Sequence, residues 1–435
     1  MKSLLSLGRA KYKLFYHYIG LALVAILTSS VTAKDYLIRN ATVYTSGQKG
    51  VLNNTDVLIS DGFIMEVGRQ LKSRPSYEVI DATGKFITPG LINAWTQIGL
   101  EEISAAEATV DYQTKNKAHS ASFNIAPALN LNSTLIPHNK MNGLTRAIVA
   151  PSQGEHIFQG SGAAIVLMAK SEEYIKSNLA QFVRYGSEGA ELAGGSRASA
   201  YLVLHQALSE ADFLRNNRRQ FTPGKPHQFS MSLQDLDALA PVLERKNPLV
   251  VFANRSSDIK TLIDISKEFK LKLVINGGAE AWMLARELAL AEIPVILDPL
   301  DNVPSAFESL GVKLEGAAIL LKAGVKLLFT NRSSHNAYLV RQSAGNAVAY
   351  GVSLEEAIKA MSINVAEVFG IESYGKIELG MHADLVIWDG DPLEITSNAE
   401  RVFIKGHDQL MTSRATRLRD RFWDLRDIQN KAYKK

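Results

Sequence analysis

Cysteine is absent from the 435 residues. That excludes disulfides, zinc ribbons, iron–sulfur clusters and thiol nucleophiles. Excess charge is also missing once residues 1–33 are set aside. Lys2, Arg9, Lys11 and Lys13 lie there with no acidic residue, and they account for the whole formal charge of +4. The remaining 44 basic and 44 acidic side chains cancel. A neutral chain gives no electrostatic case for nucleic acid or for an anionic membrane surface. Later in the chain no apolar run approaches the roughly 20 residues that span a bilayer. The chain is 46% hydrophobic and 21% charged, which excludes a disordered polymer. Its length suits one large domain with a small one, or two to three ordinary domains.

The start reads as an export signal. Four basic residues precede the apolar run Ile19 to Leu27, and Val31-Thr32-Ala33 supplies small residues at a cleavage site. The expectation is cleavage before Lys34 and a periplasmic mature protein free of the membrane.

Residues 36–90 are strand-like. Tyr36–Tyr44 is β-branched and alternating, and Asn53-Asn54 and Asp61-Gly62 are turn signals. After residue 140, short apolar runs alternate with helical stretches. The runs are Leu144–Ala150, Leu249–Phe252, Leu271–Ile275, Pro294–Leu297 and Val325–Phe329. The helical stretches include Arg197–Arg215, Leu233–Lys246, Asp258–Phe269, Glu280–Glu292 and Leu354–Phe369. Alternating strands and helices imply a parallel sheet, here a closed (β/α)8 barrel. Strand character returns at Ala383–Trp388 and Arg401–Lys405. The fold class expected is α/β, a TIM-like barrel with a small β-sandwich domain built from both chain ends. The domains expected are a leader at 1–33, the small domain at 34–90 plus 371–411, the barrel at 91–370, and a charged helical tail at 412–435.

Three long segments carry a resemblance. Asp81-Ala-Thr-Gly-Lys-Phe-Ile-Thr-Pro-Gly-Leu-Ile-Asn93 resembles the entry into the first barrel strand of the metal-dependent amidohydrolase superfamily, in particular its imidazolonepropionase-like members. Residues 375–392, Gly-Lys-Ile-Glu-Leu-Gly-Met-His-Ala-Asp-Leu-Val-Ile-Trp-Asp-Gly-Asp-Pro, are similar to the return into the small domain. Residues 357–370 are similar to the last barrel helix. The resemblance implies one or two divalent metals, zinc for example, at the strand ends. Such an ion lowers the pKa of bound water from 15.7 towards 7.

The residues at the family's ligand positions are not ligands. Trp95 and Gln97 stand where the resemblance implies a His-x-His pair. Phe252 stands at the fifth-strand histidine, with Asn254 next on the same face. Gly277 or Ala279 stands at the sixth-strand histidine, and Asn331 at the aspartate that is both ligand and general base. Indole offers no lone pair, and asparagine cannot take a proton from water. The resemblance thus implies the fold, while these residues deny the mechanism, so no metal cofactor is expected.

Replacement sites are weaker. The histidines after the leader are His119, His138, His156, His205, His227, His335, His382 and His407, and none are paired at i+2 or i+4. His335, Asp298 and Asp301 could in principle rebuild a site near the barrel mouth; the plainer reading makes them loop and turn residues. Ala150-Pro-Ser-Gln-Gly154 faintly resembles a nucleophile elbow around Ser152, with His156 nearby, but reads better as a strand-to-loop turn. Gln159-Gly-Ser-Gly162 lacks the lysine of a phosphate loop and reads as a turn between strands.

Two functions follow. One is an exported amidohydrolase-fold pseudoenzyme that binds a small molecule or supports an active partner of the same fold, alone or as an oligomer. Trp95, Phe252 and Asn331 would then line an apolar-aromatic pocket. The other is a hydrolase of carbon–nitrogen bonds in cyclic amides or dipeptides, working through an unrecognised site.

Overall fold

The computed structural model describes residues 34–168, 175–220, 228–371 and 373–423. The expected leader, His227 and the end of the charged tail lie outside the described residues.

The chain opens with β1 (Tyr36–Tyr44), β2 (Val51–Ser60), β3 (Phe63–Gly68), β4 (Glu78–Asp81) and β5 (Phe86–Pro89). Asp61 (φ 51°) and Gly62 (φ 84°) link β2 to β3. Two consecutive left-handed residues make the tight turn whose twist matches a hairpin. The other turn signal fails: Asn53-Asn54 lies inside β2, and Asn54 (φ 49°) sits where the β1–β2 register shifts. Asparagine tolerates the left-handed conformation in a bulge as well as in a turn.

Ten strands follow: β6 (Leu91–Thr96), β7 (Leu144–Val149), β8 (Phe158–Ser161), β9 (Ala163–Val166), β10 (Ile175–Lys176), β11 (Gln181–Arg184), β12 (Leu249–Ala253), β13 (Leu273–Gly277), β14 (Val295–Leu297) and β15 (Leu327–Phe329). The last three are β16 (Leu385–Trp388), β17 (Ala399–Ile404) and β18 (His407–Asp408).

Both chain ends share one sheet, in the order β18-β17-β16-β5-β1-β2-β3 with β4 on β1. They meet where β16 runs antiparallel to β5, Ile387 opposite Ile87. Ile38, Val43, Ile59, Ile87, Leu385 and Phe403 form its core. Among the described residues the pairing is one continuous sheet, in which β4 and β5 both pair with β1.

Two more sheets occupy the middle of the chain, β10-β9-β7-β6 and β15-β14-β13-β12-β11-β8. β6 and β7 are parallel, and so are β11 to β15. These strands are buried on both faces, as parallel strands are. Val251, Ile275, Val295 and Leu327 point to a core shared with helices such as Arg197–Asn216 and Ser256–Glu268. Ile92, Ile148, Val250, Val274, Ile296 and Leu328 point the other way into a second core that joins the two sheets.

The facing edges β6 and β15 are bridged by side chains. The Thr330 hydroxyl donates to the Trp95 carbonyl (2.7 Å) and sits 2.8 Å from Asn93 Oδ1. Asn93 Nδ2 donates to the carbonyls of Asn331 (2.9 Å) and Ala337 (3.1 Å). Gln159-Gly-Ser161 belongs to β8 rather than to a turn; Gly162 alone makes the break to β9. A β-carbon there would lie 2.5 Å from the Phe182 ring and 2.6 Å from the Val149 carbonyl oxygen, so only glycine fits.

Several expected helices are interrupted. Leu233–Ala238 and Ala240–Leu243 part at Leu239, because Pro241 cannot donate within a continuing helix. Leu354–Ala360 and Ile363–Val368 part at Ser362, which has non-helical dihedrals. A 3-10 turn, Ala281–Leu284, precedes Ala285–Leu290. The tail begins with the helix Arg414–Phe422, capped by the Ser413 side chain. Among the described residues no helix is long and apolar enough to cross a membrane.

Candidate functional site

A cavity of about 370 Å³ opens at the C-terminal ends of the parallel strands. Strand pairing builds it. Arg184 ends β11 opposite Phe252 of β12, and Phe252 lies opposite Asn276 of β13. Parallel partners present side chains to the same face, so these three form one row. The row two residues back, Phe182, Val250 and Val274, is apolar and closes the floor. Trp95 and Gln97 enter from the end of β6, Ser152 from the loop after β7, and Arg332 from the loop after β15. A wider cleft of about 870 Å³ opens at the opposite strand ends, over Lys270, Lys272 and Lys326. The first cavity is the better candidate, because strand C-terminal ends are where such sheets place ligands and Gln97, Ser152, Gln159 and Asn276 in its wall are buried.

Its polar groups are held in place. The Arg184 guanidinium pairs with Glu188 and donates to Ser152 Oγ (3.2 Å). Burial, and then the charge of Arg332, hold the Arg184 pKa below its ordinary value. Arg332 lies 5.0 Å over the Phe252 ring and 3.8 Å from the Asp301 carboxylate. The Ser334 hydroxyl donates to Glu101 (3.0 Å) and lies 3.5 Å from Gln97 Oε1. Burial, and then Glu101, push the Tyr112 hydroxyl up. Asn276 is 3% exposed, and its Oδ1 has no hydrogen-bond partner.

Of the residues singled out from the sequence, Trp95, Gln97, Phe252 and Ser152 share this cavity. Asn254, Gly277 and Ala279 line a small adjoining one of about 40 Å³ instead, with Asp298 and Asp301. Asn254 does not continue the face of Phe252: β12 has ended, and its Oδ1 accepts from the Ala279 amide (3.3 Å). Gly277 has φ 101°, and a β-carbon there would lie 2.6 Å from Asn254 Oδ1 and 3.1 Å from the Phe252 ring. Asn331 does not line the aromatic pocket: its Oδ1 accepts from the Ser333 amide (3.1 Å) in a local turn, and its neighbour Arg332 reaches the cavity.

The replacement candidates do not converge. Asp298 accepts from Ser343 Oγ (2.9 Å) and the Leu300 amide (3.1 Å), and burial pushes its pKa up. His335 is exposed, lies beside His138 with ring centroids 5.2 Å apart, and does not line the small cavity that holds both aspartates. Ser152 Oγ meets a guanidinium donor rather than a base, and His156 Nδ1 accepts from the Phe158 amide (3.2 Å). A fixed cation on the hydroxyl gives no route for removing its proton.

Sequence reasoning passed over Arg184, Arg332, Asn276, Glu101 and Tyr112. The signal for Arg184 was the short run Gln181-Phe-Val-Arg184, a strand ending in a charge. Arg332 directly follows a residue already under scrutiny.

The metal that the fold implies does not fit this donor set. Among the described residues no group of three or more histidine, aspartate or glutamate side chains could hold an ion. Two guanidiniums stand at the strand ends instead, and like charge repels a divalent cation.

A model of the amidohydrolase family matches residues 261–409. The chain is 23% identical over 410 residues to a dihydroorotase of Lactiplantibacillus plantarum, covering 86% of this chain and 93% of that one. It is 21% identical over 431 residues to "Amidohydrolase tasK" of Hapsidospora irregularis, covering 86% of this chain and only 43% of that longer protein. A solved amidohydrolase from Thermotoga maritima superposes with a TM-score of 0.76 at 27% identity, over 86% of this chain and 99% of its own.

Proposed function

We propose that this chain, which carries an amidohydrolase-family domain, is a small-molecule-binding pseudoenzyme rather than a metal-dependent hydrolase. One observation carries the reading: Arg184 and Arg332 occupy the strand-end cavity where the family's chemistry needs an ion held by imidazoles and carboxylates. Trp95, Gln97, Phe252 and Asn331 at the former ligand positions support it, since none supplies a metal ligand or a base. Without an activated water or a deprotonated nucleophile, the cavity can bind and orient but has no means of attacking an amide.

We read the parallel strands β6–β7 and β11–β15 as parts of one closed barrel, a reading supported by the second core and by the Asn93–Thr330 bridge. We also propose that residues 1–33 direct export to the periplasm, and that the mature protein works alone or beside an active relative.

A second reading has a specific support. The relatives over most of the chain include a dihydroorotase, so hydrolysis of a carbon–nitrogen bond in a cyclic amide is the activity to test against. The test is metal analysis of the protein purified after export, with an assay on dihydroorotate and on dipeptides. The pseudoenzyme reading expects substoichiometric zinc and no turnover. A stoichiometric metal, with hydrolysis abolished by a chelator, overturns it.

A further inference from the structure

We infer that the exposed helix Arg414–Phe422 docks the protein onto a membrane surface rich in anionic phospholipid. The inference goes beyond the binding reading above and does not depend on it.

Charge cancels over the chain after residue 33 but not along it. Residues 412–435 hold eight basic side chains and three acidic ones, a net +5. Taking these from the 44 of each sign leaves 36 basic and 41 acidic side chains in residues 34–411, a net −5. The basic excess is thus gathered at one end.

The helix stands off the body. Met411 still packs against the main core and Ser413 is buried, but no residue of Arg414–Phe422 is. Ala415, Leu418 and Phe422 nonetheless share one face, within about 60° of arc. Leu418 is 38% exposed, and Trp423, directly after the helix, is 81% exposed. Arg414 and Arg421 edge this apolar strip on one side and Arg419 on the other. Arg419 pairs with Asp420 at 2.6 Å. Arg417 Nε donates to the Ser413 carbonyl (3.4 Å), and Arg421 lies 5.4 Å over the Phe422 ring.

The stability of the helix does not call for these arginines. Arg414 and Arg417 stand in the first turn, where the helix dipole disfavours cations, and Arg417 repels Arg421 at i, i+4. A layer of phosphodiester anions removes both penalties, because guanidinium forks match phosphate oxygens. The arginine stems can lie along the apolar strip while their heads reach the phosphates. A nucleic acid or an acidic protein would answer the charges alone. The exposed indole and leucine among them fit a partner with an apolar layer beneath its charges, which a bilayer interface provides.

The test uses the mature chain, residues 34–435, with vesicles of phosphatidylglycerol and phosphatidylcholine in equal parts, against phosphatidylcholine alone. Co-sedimentation should show at least tenfold tighter binding to the anionic vesicles at about 0.1 M salt. The preference should vanish near 1 M, where the screening length falls to about 3 Å. Arg414→Gln with Arg421→Gln should weaken binding at least tenfold. Leu418→Ser with Trp423→Ser should do the same at unchanged charge, which a purely electrostatic partner would not feel. Each variant should keep the parent's circular dichroism spectrum. If one does not, the two-vesicle comparison and its salt dependence on the unmodified protein decide alone. Equal binding to both vesicles, or binding to neither, overturns the inference. So does tighter binding to a DNA duplex than to the anionic vesicles. A protein that docks on anionic vesicles and also hydrolyses dihydroorotate fails only the pseudoenzyme reading.

Discussion

Arg146 Nε donates to Asp384 Oδ2 across 2.8 Å, and both side chains are buried. The pair ties β7 to the segment that leads into β16. The Asp384 Oδ1 accepts from the Lys405 amide (2.7 Å), and the Arg146 guanidinium lies 3.3 Å over the Tyr374 ring. One carboxylate thus holds the two-ended sheet against the parallel strands.

Asp384→Asn should destabilise the protein by roughly 3–5 kcal/mol, because it strands a buried guanidinium. Replacing both partners, Arg146→Met with Asp384→Leu, should cost much less than the single change. Urea unfolding of the three variants checks this. Equal losses in the single and double variants would show that the ion pair is not the link.

Restoring two imidazoles should not restore chemistry. Trp95→His with Gln97→His leaves Arg184, Arg332 and Asn331 unchanged, and residues that act as a unit contribute non-additively. The half-buried indole also packs against the second core, so the double variant should lose up to about 3 kcal/mol. Zinc titration and an amide-hydrolysis assay provide the check. Tight zinc binding with turnover would contradict the assignment of the ligand positions.

A histidine on the sixth strand meets a backbone obstacle. Gly277 combines φ 101° with the Asn254 and Phe252 contacts that a β-carbon would make. Gly277→Ala should already cost on the order of 1–3 kcal/mol. A melting temperature within a degree of the parent would show that the loop relaxes freely.

Much of this architecture is legible in the residues. Leu249–Phe252 and Val325–Phe329 are apolar runs whose strands follow within a residue or two, and Asp61-Gly62 turns the chain where its chemistry demands. The site is harder to read, for a physical reason. Arg184, Phe252 and Asn276 form a row only through strand pairing, which sequence spacing does not reveal. A charged residue at a strand end usually faces water, so Arg184 and Arg332 carry no mark of their own. Asn254 sits two residues past Phe252, yet the strand stops between them and the alternation stops with it.

Asp298 should make stability fall as pH rises. Burial raises its folded pKa above the unfolded value, so the folded chain holds the proton longer. Its contribution is therefore fully present below the unfolded pKa and is lost as pH rises through the folded one. Asp298→Asn keeps an acceptor for Ser343 and the Leu300 amide and removes the titration. The variant should be flatter than the parent from about pH 4 upward. Parallel pH profiles in denaturant-unfolding experiments would expose an error in this assignment.

The meeting of β5 with β16 carries a cost in time. About 300 residues separate Ile87 from Ile387, and a ribosome adds roughly 5–20 residues per second. The edge of β5 therefore waits some tens of seconds for its neighbour, exposed as a template for wrong partners. We predict that nascent chains arrested before residue 385 will be cut by protease within residues 36–89, and that chains released after residue 408 will resist. Equal protection in both would mean that the amino-terminal strands find another shelter. Strands made late are the ones that make the early strands safe.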